Sequence, residues 1–152
     1  MRKPEICLKT VLSSDLTAWI DTKKACYKEY VDQYYGGWVD EIQAELNTAT
    51  FKKAMQMSYF RKITIGGETV GFQGYDELPD SIAGITIHMY EPARNHGIGS
   101  GFLRKVIALS QSTGKPAHLK VFKTNPAQRL YRRFGFAVYD ETESHYLMEY
   151  RP

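Results

Sequence analysis

The sequence has few cysteines and no long apolar run. Cys7 and Cys26 are its two cysteines, and they lack the spacing of metal ligands, so free buried thiols are expected rather than a disulfide. No stretch approaches eighteen consecutive apolar residues, and the basic start at residues 1–3 leads into no apolar segment of signal-peptide length. We therefore expect a cytoplasmic protein that does not contact a membrane.

Acidic residues are missing from one long segment. Residues 92–139 contain nine Lys or Arg and no Asp or Glu, although the net charge of the whole chain is only +3. The remaining 11 basic and 17 acidic side chains give a net charge of −6 elsewhere. This asymmetry indicates one region that binds an anion and another that suits a neutral or cationic partner, although an accidental surface bias would look the same.

Internal repeats and low-complexity linkers are also lacking. With 43% hydrophobic residues, a chain of 152 residues is long enough to bury one sizeable core and short for two domains. The sequence therefore predicts a single domain over residues 1–152.

Apolar periodicity and turn residues predict the order β, α, α, β, β, β, α, β, α, β, β, which is a mixed α/β protein. Ser13-Ser14-Asp15 is predicted to cap the first helix, and the second helix is predicted to break near Thr48. Gly66-Gly67 predicts a β-hairpin. Asn125 is predicted to cap a short helix that Gly135 ends. The predicted strands are 5–11, 59–65, 69–75, 82–90, 118–122, 136–139 and 145–150.

A glycine-rich loop follows the strand at 82–90 and leads into a helix. Its residues are Arg94-Asn95-His96-Gly97-Ile98-Gly99-Ser100-Gly101. The first amides of a helix lack internal partners and carry partial positive charge, so the arrangement is typical of a phosphate site. Glycine turns before helices are common, and the loop alone also fits a simple turn. The GK[ST] of a P-loop and the long βαβ continuation of a dinucleotide fold are both missing.

Together with a second motif, the loop resembles the GNAT (GCN5-related N-acetyltransferase) superfamily. Segment 85–103, with Arg94, Gly97 and Gly99, is similar to the acetyl-CoA loop of that family, and segment 125–136, NPAQRLYRRFGF, is similar to its second cofactor motif. Pro92 lies one residue nearer the loop than is usual. The resemblance covers essentially the whole chain and implies a single mixed, mostly antiparallel sheet of six to seven strands. About four helices would flank this sheet, and its strands would splay at the cofactor site.

The resemblance implies an acyltransferase with acetyl-CoA as co-substrate. The strand end, the loop and one asparagine would hold acetyl-CoA, through Met89, Tyr90, Arg94, Asn95, His96, Gly97, Ile98, Gly99, Ser100 and Asn125. The remaining phosphate would meet one of Arg104, Arg129, Arg132 and Arg133. No metal cluster or nucleic-acid motif is visible, and we expect a monomer or a homodimer.

The resemblance also places Tyr131 near the thioester sulfur, as the general acid. A phenol of pKa about 10 is a suitable proton donor to a leaving thiol of pKa about 8.5. Outside the motif, packing beside Leu130 and Phe134 would be the simpler role for Tyr131. The general base stays open among His88, Glu91, His145 and water, because such residues are also common at surfaces and in cores. Some relatives have a strand glutamate where this chain has Ala83 and Gly84.

Aromatic residues and carboxylates alternate in the region where the resemblance places the acceptor amine. Candidate acceptor residues are Tyr30, Tyr34, Tyr35, Trp38 and His145, with Asp32, Asp40 and Glu41 among the aromatics. Such walls suit a small cationic amine, and helix packing with a solvated acidic face explains them equally well. We expect acetyl transfer to a primary amine of a small molecule by direct attack in a ternary complex. A protein or peptide N-terminal acetyltransferase and a non-catalytic acyl-CoA-binding module stay open as alternatives.

Overall fold

The computed structural model describes residues 4–152, so the basic start at residues 1–3 lies outside the described residues. The order of elements matches the predicted order. The helices are α1 (Leu16–Tyr34), α2 (Asp40–Ala54), α3 (Ile98–Thr113) and α4 (Gln128–Arg133). The strands are β1 (Ile6–Thr10), β2 (Tyr59–Ile65), β3 (Glu68–Glu77), β4 (Ile82–Met89), β5 (Ala117–Phe122), β6 (Ala137–Glu141) and β7 (His145–Tyr150).

The strands form a mixed seven-stranded sheet with the order β1-β2-β3-β4-β5-β7-β6. The pairs β1–β2, β5–β7 and β6–β7 are antiparallel, whereas β4 and β5 are parallel with Ile82 opposite Ala117. Over residues 4–152 the chain therefore has the predicted α/β fold, with seven strands and four α-helices.

The chain divides into two compact units. The first comprises the described residues up to 74 together with 86–96, and the second comprises 75–85 and 97–152. Both β3 and β4 contribute residues to each unit. That the whole chain acts as a single domain stays a prediction.

Trp19 on α1 lies at the centre of the core of the first unit. Its ring is 2% exposed and contacts Phe51, Phe60 and Phe72 at centroid distances of 5.8, 5.4 and 5.3 Å. Its indole N–H donates to the backbone carbonyl of Asn47 at 3.1 Å. Edge-to-face contacts and a satisfied N–H explain how so large a residue is fully buried.

Two local predictions in the first unit were wrong. Ser13–Asp15 forms a 3₁₀ turn, and although Asp15 is the N-cap residue of α1, its side chain makes no capping bond to that helix, because its carboxylate accepts from the backbone N–H of Leu12 at 2.7 Å. Helix α2 continues through Thr48 without a break. The Thr48 hydroxyl donates to the Ala44 carbonyl one turn back at 2.6 Å, a bond that is compatible with the helix.

In the second unit, α3 and β5 follow their predicted patterns. Helix α3 buries Phe102, Leu103 and Val106. It stops at Gly114, whose φ of 71° is the left-handed conformation that ends a helix. Alternate residues of β5, namely Ala117, Leu119 and Val121, are buried. This periodicity is what the sequence predicts for a strand with one face in the core.

Candidate functional site

The glycine turn at the start of α3 has open space beside its last residue before the helix. Gly97, the N-cap of α3, has φ 78°, and a Cβ added there would meet no heavy atom within 4 Å. The first amides of α3 have no partner inside the helix, and the helix dipole adds positive charge there. No acidic residue in the first turn opposes that charge. The turn therefore fits a diphosphate group.

The second glycine of the turn, Gly99, is explained by close packing and not by open space. A Cβ at Gly99 would lie 3.2 Å from Cδ2 of Leu130 on α4, a tight contact. Glycine at this position therefore lets α3 approach α4 closely. Ile98 and Ser100, the other predicted cofactor residues in this turn, are half-buried.

Asn125 shapes the chain before α4. Its side-chain carbonyl accepts from the backbone N–H of Ala127 at 2.9 Å. Helix α4 itself begins at Gln128, two residues later than the predicted first position at Pro126, because residues 125–128 form a separate turn. Since the side-chain carbonyl of Asn125 is used in this turn, its amide N–H groups are the donors that it offers to a ligand.

Tyr131 on α4 is half-buried, and its ring meets Phe136 edge-on at a centroid distance of 6.3 Å. Burial raises the pKa of Tyr131 to about 12. The phenol therefore keeps its proton at neutral pH and can act as a hydrogen-bond donor.

In the first unit, Arg94 contacts the end of β4. Its Nε donates to the backbone carbonyl of Met89 at 3.1 Å. The thiol of Cys26 on α1 donates to the same carbonyl at 3.3 Å, and a terminal nitrogen of Arg94 lies 3.6 Å from the Cys26 sulfur. The backbone N–H of Tyr90 bonds to Val70 in β3 at 2.9 Å. These contacts hold the strand end where the resemblance places the pantetheine arm.

The residues that follow β4 form a tight turn. A 3₁₀ turn, Glu91–Ala93, includes the unusually placed Pro92. Asn95 has φ 64°, a left-handed conformation that asparagine tolerates better than most residues. A ring nitrogen of His96 lies 3.2 Å from the Pro92 carbonyl. Asn95 and His96 are both exposed.

His88, a candidate base, lies inside the aromatic core. It is 4% exposed, and its ring contacts Trp19, Tyr27 and Phe72 at 4.9, 6.0 and 5.7 Å. Neither ring nitrogen has a hydrogen-bond partner in the described part of the chain. Burial, followed by the charge of Lys23, holds the pKa of His88 well below its usual value. His88 is therefore neutral at pH 7.

The other two candidate bases are more accessible. Glu91 is exposed, and its backbone carbonyl accepts from the N–H of Arg94. His145 is half-buried; its Nδ1 lies 2.7 Å from the Ser144 hydroxyl and its ring 4.1 Å from that of Phe122. Burial, followed by the charge of Lys120, lowers the pKa of His145. A neutral imidazole of this kind can accept a proton.

The aromatic residues proposed for the acceptor differ in exposure. Tyr30 is buried, and burial followed by the hydrogen bond that its hydroxyl donates to Glu29 raises its pKa to about 12. Tyr34 and Trp38 are half-buried, and Tyr35 is exposed.

The carboxylates beside these aromatics already have partners. Lys28 binds Asp32 at 2.6 Å and Lys24 binds Asp40 at 2.8 Å. Asp32 also accepts the backbone N–H of Trp38 at 2.8 Å, and Asp40 accepts its indole N–H at 3.1 Å. The pKa values of both carboxyls are lowered, chiefly by the hydrogen bonds from these lysines. These aspartates therefore orient Trp38, and each forms an ion pair with a lysine of α1.

The candidate residues for the remaining phosphate lie on α3 and α4. The guanidinium of Arg104 lies 5.7 Å from the ring centroid of Phe134. Arg129, Arg132 and Arg133 are exposed along α4. All four belong to the second unit, as do Gly97 and Tyr131.

The acetyltransferase (GNAT) family model matches residues 23–136 of the chain, which include the glycine loop, Asn125 and Tyr131. The chain belongs to the GNAT acetyltransferase family. It is therefore an acyltransferase, an acetyl-CoA-dependent N-acetyltransferase in general terms.

Solved structures of other GNAT proteins have a similar fold. One is the PaiA N-acetyltransferase from Thermoplasma acidophilum in complex with coenzyme A; it has a TM-score of 0.74 at 16% identity, over 97% of this chain and 99% of that one. Another is the ribosomal-protein-S18-alanine N-acetyltransferase from Escherichia coli, with a TM-score of 0.66 at 17% identity over 97% and 94%. No curated protein sequence matches this GNAT chain significantly.

Cys26 is the residue that the sequence reasoning missed. Both cysteines are free, as expected, but they are half-buried and not fully buried. The contact of Cys26 with Met89, however, joins residues 63 positions apart, and no local pattern indicates it.

None of the helices in the described part of this GNAT chain is long and apolar enough to span a membrane. Among residues 4–152, no cluster of three His, Cys, Asp or Glu is placed to hold a metal ion.

Proposed function

We propose that this acyltransferase moves the acetyl group of acetyl-CoA to a primary amine of a small molecule, by direct attack in a ternary complex. The observation that carries the proposal is the open turn at Gly97, which has no acidic residue in the first turn of α3 and lies in the same unit as Asn125 and Tyr131. A cytoplasmic location and a monomeric or homodimeric state belong to the same proposal.

Two sets of residues would hold the cofactor. In the second unit, the amides of Ile98, Gly99 and Ser100 would bind the diphosphate, and the amide of Asn125 would donate to a carbonyl of the pantetheine arm. In the first unit, the backbone of Met89 and Tyr90 would line that arm, and the loop 94–96 would complete the turn. Bound acetyl-CoA supplies the thioester that the amine attacks.

Tyr131 would act on the leaving sulfur. A phenol of pKa about 12 is a weaker acid than a thiol of pKa about 8.5, so full proton transfer to the thiolate is uphill by roughly 5 kcal/mol. A hydrogen bond from the phenol to a charged acceptor stabilises that acceptor by about 1.5–3 kcal/mol. Tyr131 would therefore donate a hydrogen bond to the thiolate as it forms, and water would complete the protonation.

The amine must lose a proton before it attacks. At pH 7 the neutral form of an alkyl amine of pKa about 10.4 costs about 4.6 kcal/mol. We propose that His145, Glu91 or water accepts this proton. His88 is set aside as the base because three aromatic rings enclose it. Position 84, near which some relatives have a glutamate, holds a glycine with φ 62°.

Aromatic faces would recognise the acceptor. Asp40 and Asp32 are ionised but already paired with Lys24 and Lys28 at the surface. Tyr30, Tyr34 and Trp38 have π faces that attract a cation within about 6 Å. A small amine with an apolar body would suit them.

Calorimetry with acetyl-CoA tests the proposal. Wild type is expected to bind saturably, and Gly97→Trp to lose binding because its side chain occupies the space in front of α3. Gly114→Trp is the matched control, since Gly114 ends the same helix with φ 71° and also has open space around its Cβ position. Circular dichroism establishes that both variants are folded.

Free-thiol release in the same preparations identifies the acceptor class. Release that depends on small primary amines supports the proposal, whereas release with peptides alone replaces it by peptide N-terminal acetylation. Binding without release with either class indicates a non-catalytic acyl-CoA-binding module. Absence of acetyl-CoA binding in folded wild type would overturn the proposed function.

A further inference from the structure

The first strand, β1, has a free edge. It stands at one end of the strand order and pairs with β2 alone among the described strands. The Glu5 carbonyl accepts from the N–H of Gly66 at 3.1 Å, so Glu5 and every second residue after it bond towards β2. The backbone groups of the alternate residues, Ile6, Leu8 and Thr10, therefore point outwards. Such a row of outward N–H and C=O groups is a template for a further strand.

The apolar side chains of this edge are incompletely covered. Leu8 lies opposite Ile63 of β2, yet Ile63 is fully buried and Leu8 is 49% exposed. Ile6 lies on the same face of β1 as Leu8 and is 43% exposed. A strand added beside β1 would therefore remove both side chains from water.

Opposite charges stand on either side of the centre of β1. Glu5 and Lys9 are both exposed, and each lies two residues from Cys7. If two copies of β1 pair antiparallel about a two-fold axis at Cys7, Glu5 lies opposite the partner's Lys9, and Ile6 lies opposite the partner's Leu8. The symmetry repeats each pair, so the edge is complementary to itself in both charge and apolar contact.

The charges also select this register over its neighbours. Outward-facing residues can bond only to outward-facing residues, so the axis passes through a residue and not between two. An axis at Lys9 would bring two lysines together. An axis at Ile6 or Leu8 would place no opposite charge across from either Glu5 or Lys9.

We propose that β1 is the interface of a homodimer in which two copies of this chain pair their first strands antiparallel about Cys7. Ile6 and Leu8 exchange backbone hydrogen bonds with the partner's Leu8 and Ile6, and Cys7 faces the partner's Cys7 in a non-hydrogen-bonded pair. Because one short strand makes a small interface, the dimer dissociates on dilution. The inference selects the dimer over the monomer and does not depend on acetyl-CoA.

Sedimentation velocity over a concentration series tests the charge pairs. Wild type is expected to shift from monomer to dimer as the concentration rises. Glu5→Lys and Lys9→Glu each place like charges opposite one another at two symmetry-related positions, so each is expected to weaken dimerisation about tenfold or more. The double variant exchanges the two charges and is expected to recover the wild-type dimer. Lys52→Glu, the same charge change at an exposed position of α2, is the control and should dimerise as wild type does.

Crosslinking through Cys7 tests the register. Residues of a non-hydrogen-bonded antiparallel pair have Cα atoms about 4.5 Å apart, a separation that a disulfide can span. Diamide takes up the two electrons and two protons that the thiols lose. It is expected to convert Cys26→Ser, which keeps Cys7, into a covalent dimer and to leave Cys7→Ser monomeric on a denaturing gel.

A wild type that stays monomeric throughout the series would overturn the inference. A dimer that neither charge reversal weakens, or that forms no crosslink through Cys7, would place the interface elsewhere and overturn it as well. Acetyl-CoA binding is measured separately on the same preparations, so failure of the proposed function and failure of the dimer are distinguishable.

Discussion

At the scale of single residues, the hydroxyl of Tyr131 is the group whose loss separates chemistry from binding. Tyr131→Phe keeps the ring that contacts Phe136 and removes only the donor. We expect kcat to fall about 10- to 100-fold, because a hydrogen bond to a charged acceptor contributes about 1.5–3 kcal/mol. The KM for acetyl-CoA should change little, since the bond forms as the thiolate develops.

Steady-state thiol release measures both parameters. Tyr139→Phe, which alters an exposed tyrosine of the same unit, is the control. An unchanged kcat in Tyr131→Phe would show that Tyr131 is a packing residue.

The burial of His88 leads to a prediction of how the stability of the protein depends on pH. Its pKa in the folded state lies well below the usual value of 6.5, so below pH 6.5 the unfolded chain binds a proton that the folded chain does not. The free energy of unfolding therefore falls as the pH falls through 6.5 towards the folded pKa. Between pH 7.5 and 5.5 this one group is expected to lower the free energy of unfolding by roughly 1 kcal/mol.

Urea unfolding of wild type and His88→Leu at pH 7.5 and 5.5 measures that cost. The variant should lose less stability on acidification, and at pH 7.5 it should be at least as stable because two unpartnered buried nitrogens are gone. His96→Leu, at an exposed histidine, is expected to keep the wild-type pH dependence. Equal pH dependence of wild type and His88→Leu would contradict the prediction.

At the scale of elements, the approach of β3 to β4 requires a glycine. A Cβ at Gly71 would lie 2.4 Å from the His88 carbonyl oxygen and 2.6 Å from Cβ of Met89. Backbone cannot move away as a flexible side chain does, so Gly71→Ala is expected to destabilise the protein by about 2–3 kcal/mol.

Gly101→Ala is the matched comparison on α3. A Cβ at Gly101 meets nothing within 4 Å, and alanine is the better helix former, so this variant should gain about 0.5–1 kcal/mol. Urea unfolding of both variants measures the two changes in the free energy of unfolding, which are expected to have opposite signs. Two changes of the same sign would mean that contact with β4 does not decide the role of Gly71.

At the scale of the whole molecule, ligand binding should raise thermal stability. With CoA at 100 times its Kd, mass action adds about 2.7 kcal/mol. For a chain of this size that corresponds to a rise in Tm of about 5–10 °C. Scanning calorimetry of wild type, Gly97→Trp and Gly114→Trp is the measurement, with the rise expected in wild type and Gly114→Trp alone. A similar rise in Gly97→Trp would place the cofactor phosphates away from the start of α3.

Local patterns in the sequence determined much of this protein. The element order, the hairpin at Gly66-Gly67 and the stop at Gly114 were predicted correctly, because periodicity and positive φ are properties of a few neighbouring residues. The family was predicted in the same way, since both of its motifs are short continuous segments.

Only the tertiary structure decided what the side chains of these segments contact. The sequence indicates Arg94 as a cofactor residue and Asp32 and Asp40 as carboxylates near the acceptor. Only the structure shows that Arg94 bonds to Met89 and that the aspartates bond to lysines of α1. His88 is a candidate base by its residue type, and only the structure shows the three aromatic rings that surround it. The physical reason is that hydrogen bonds and burial depend on which residues meet in space, and partners as far apart as Cys26 and Met89 leave no local pattern in the chain.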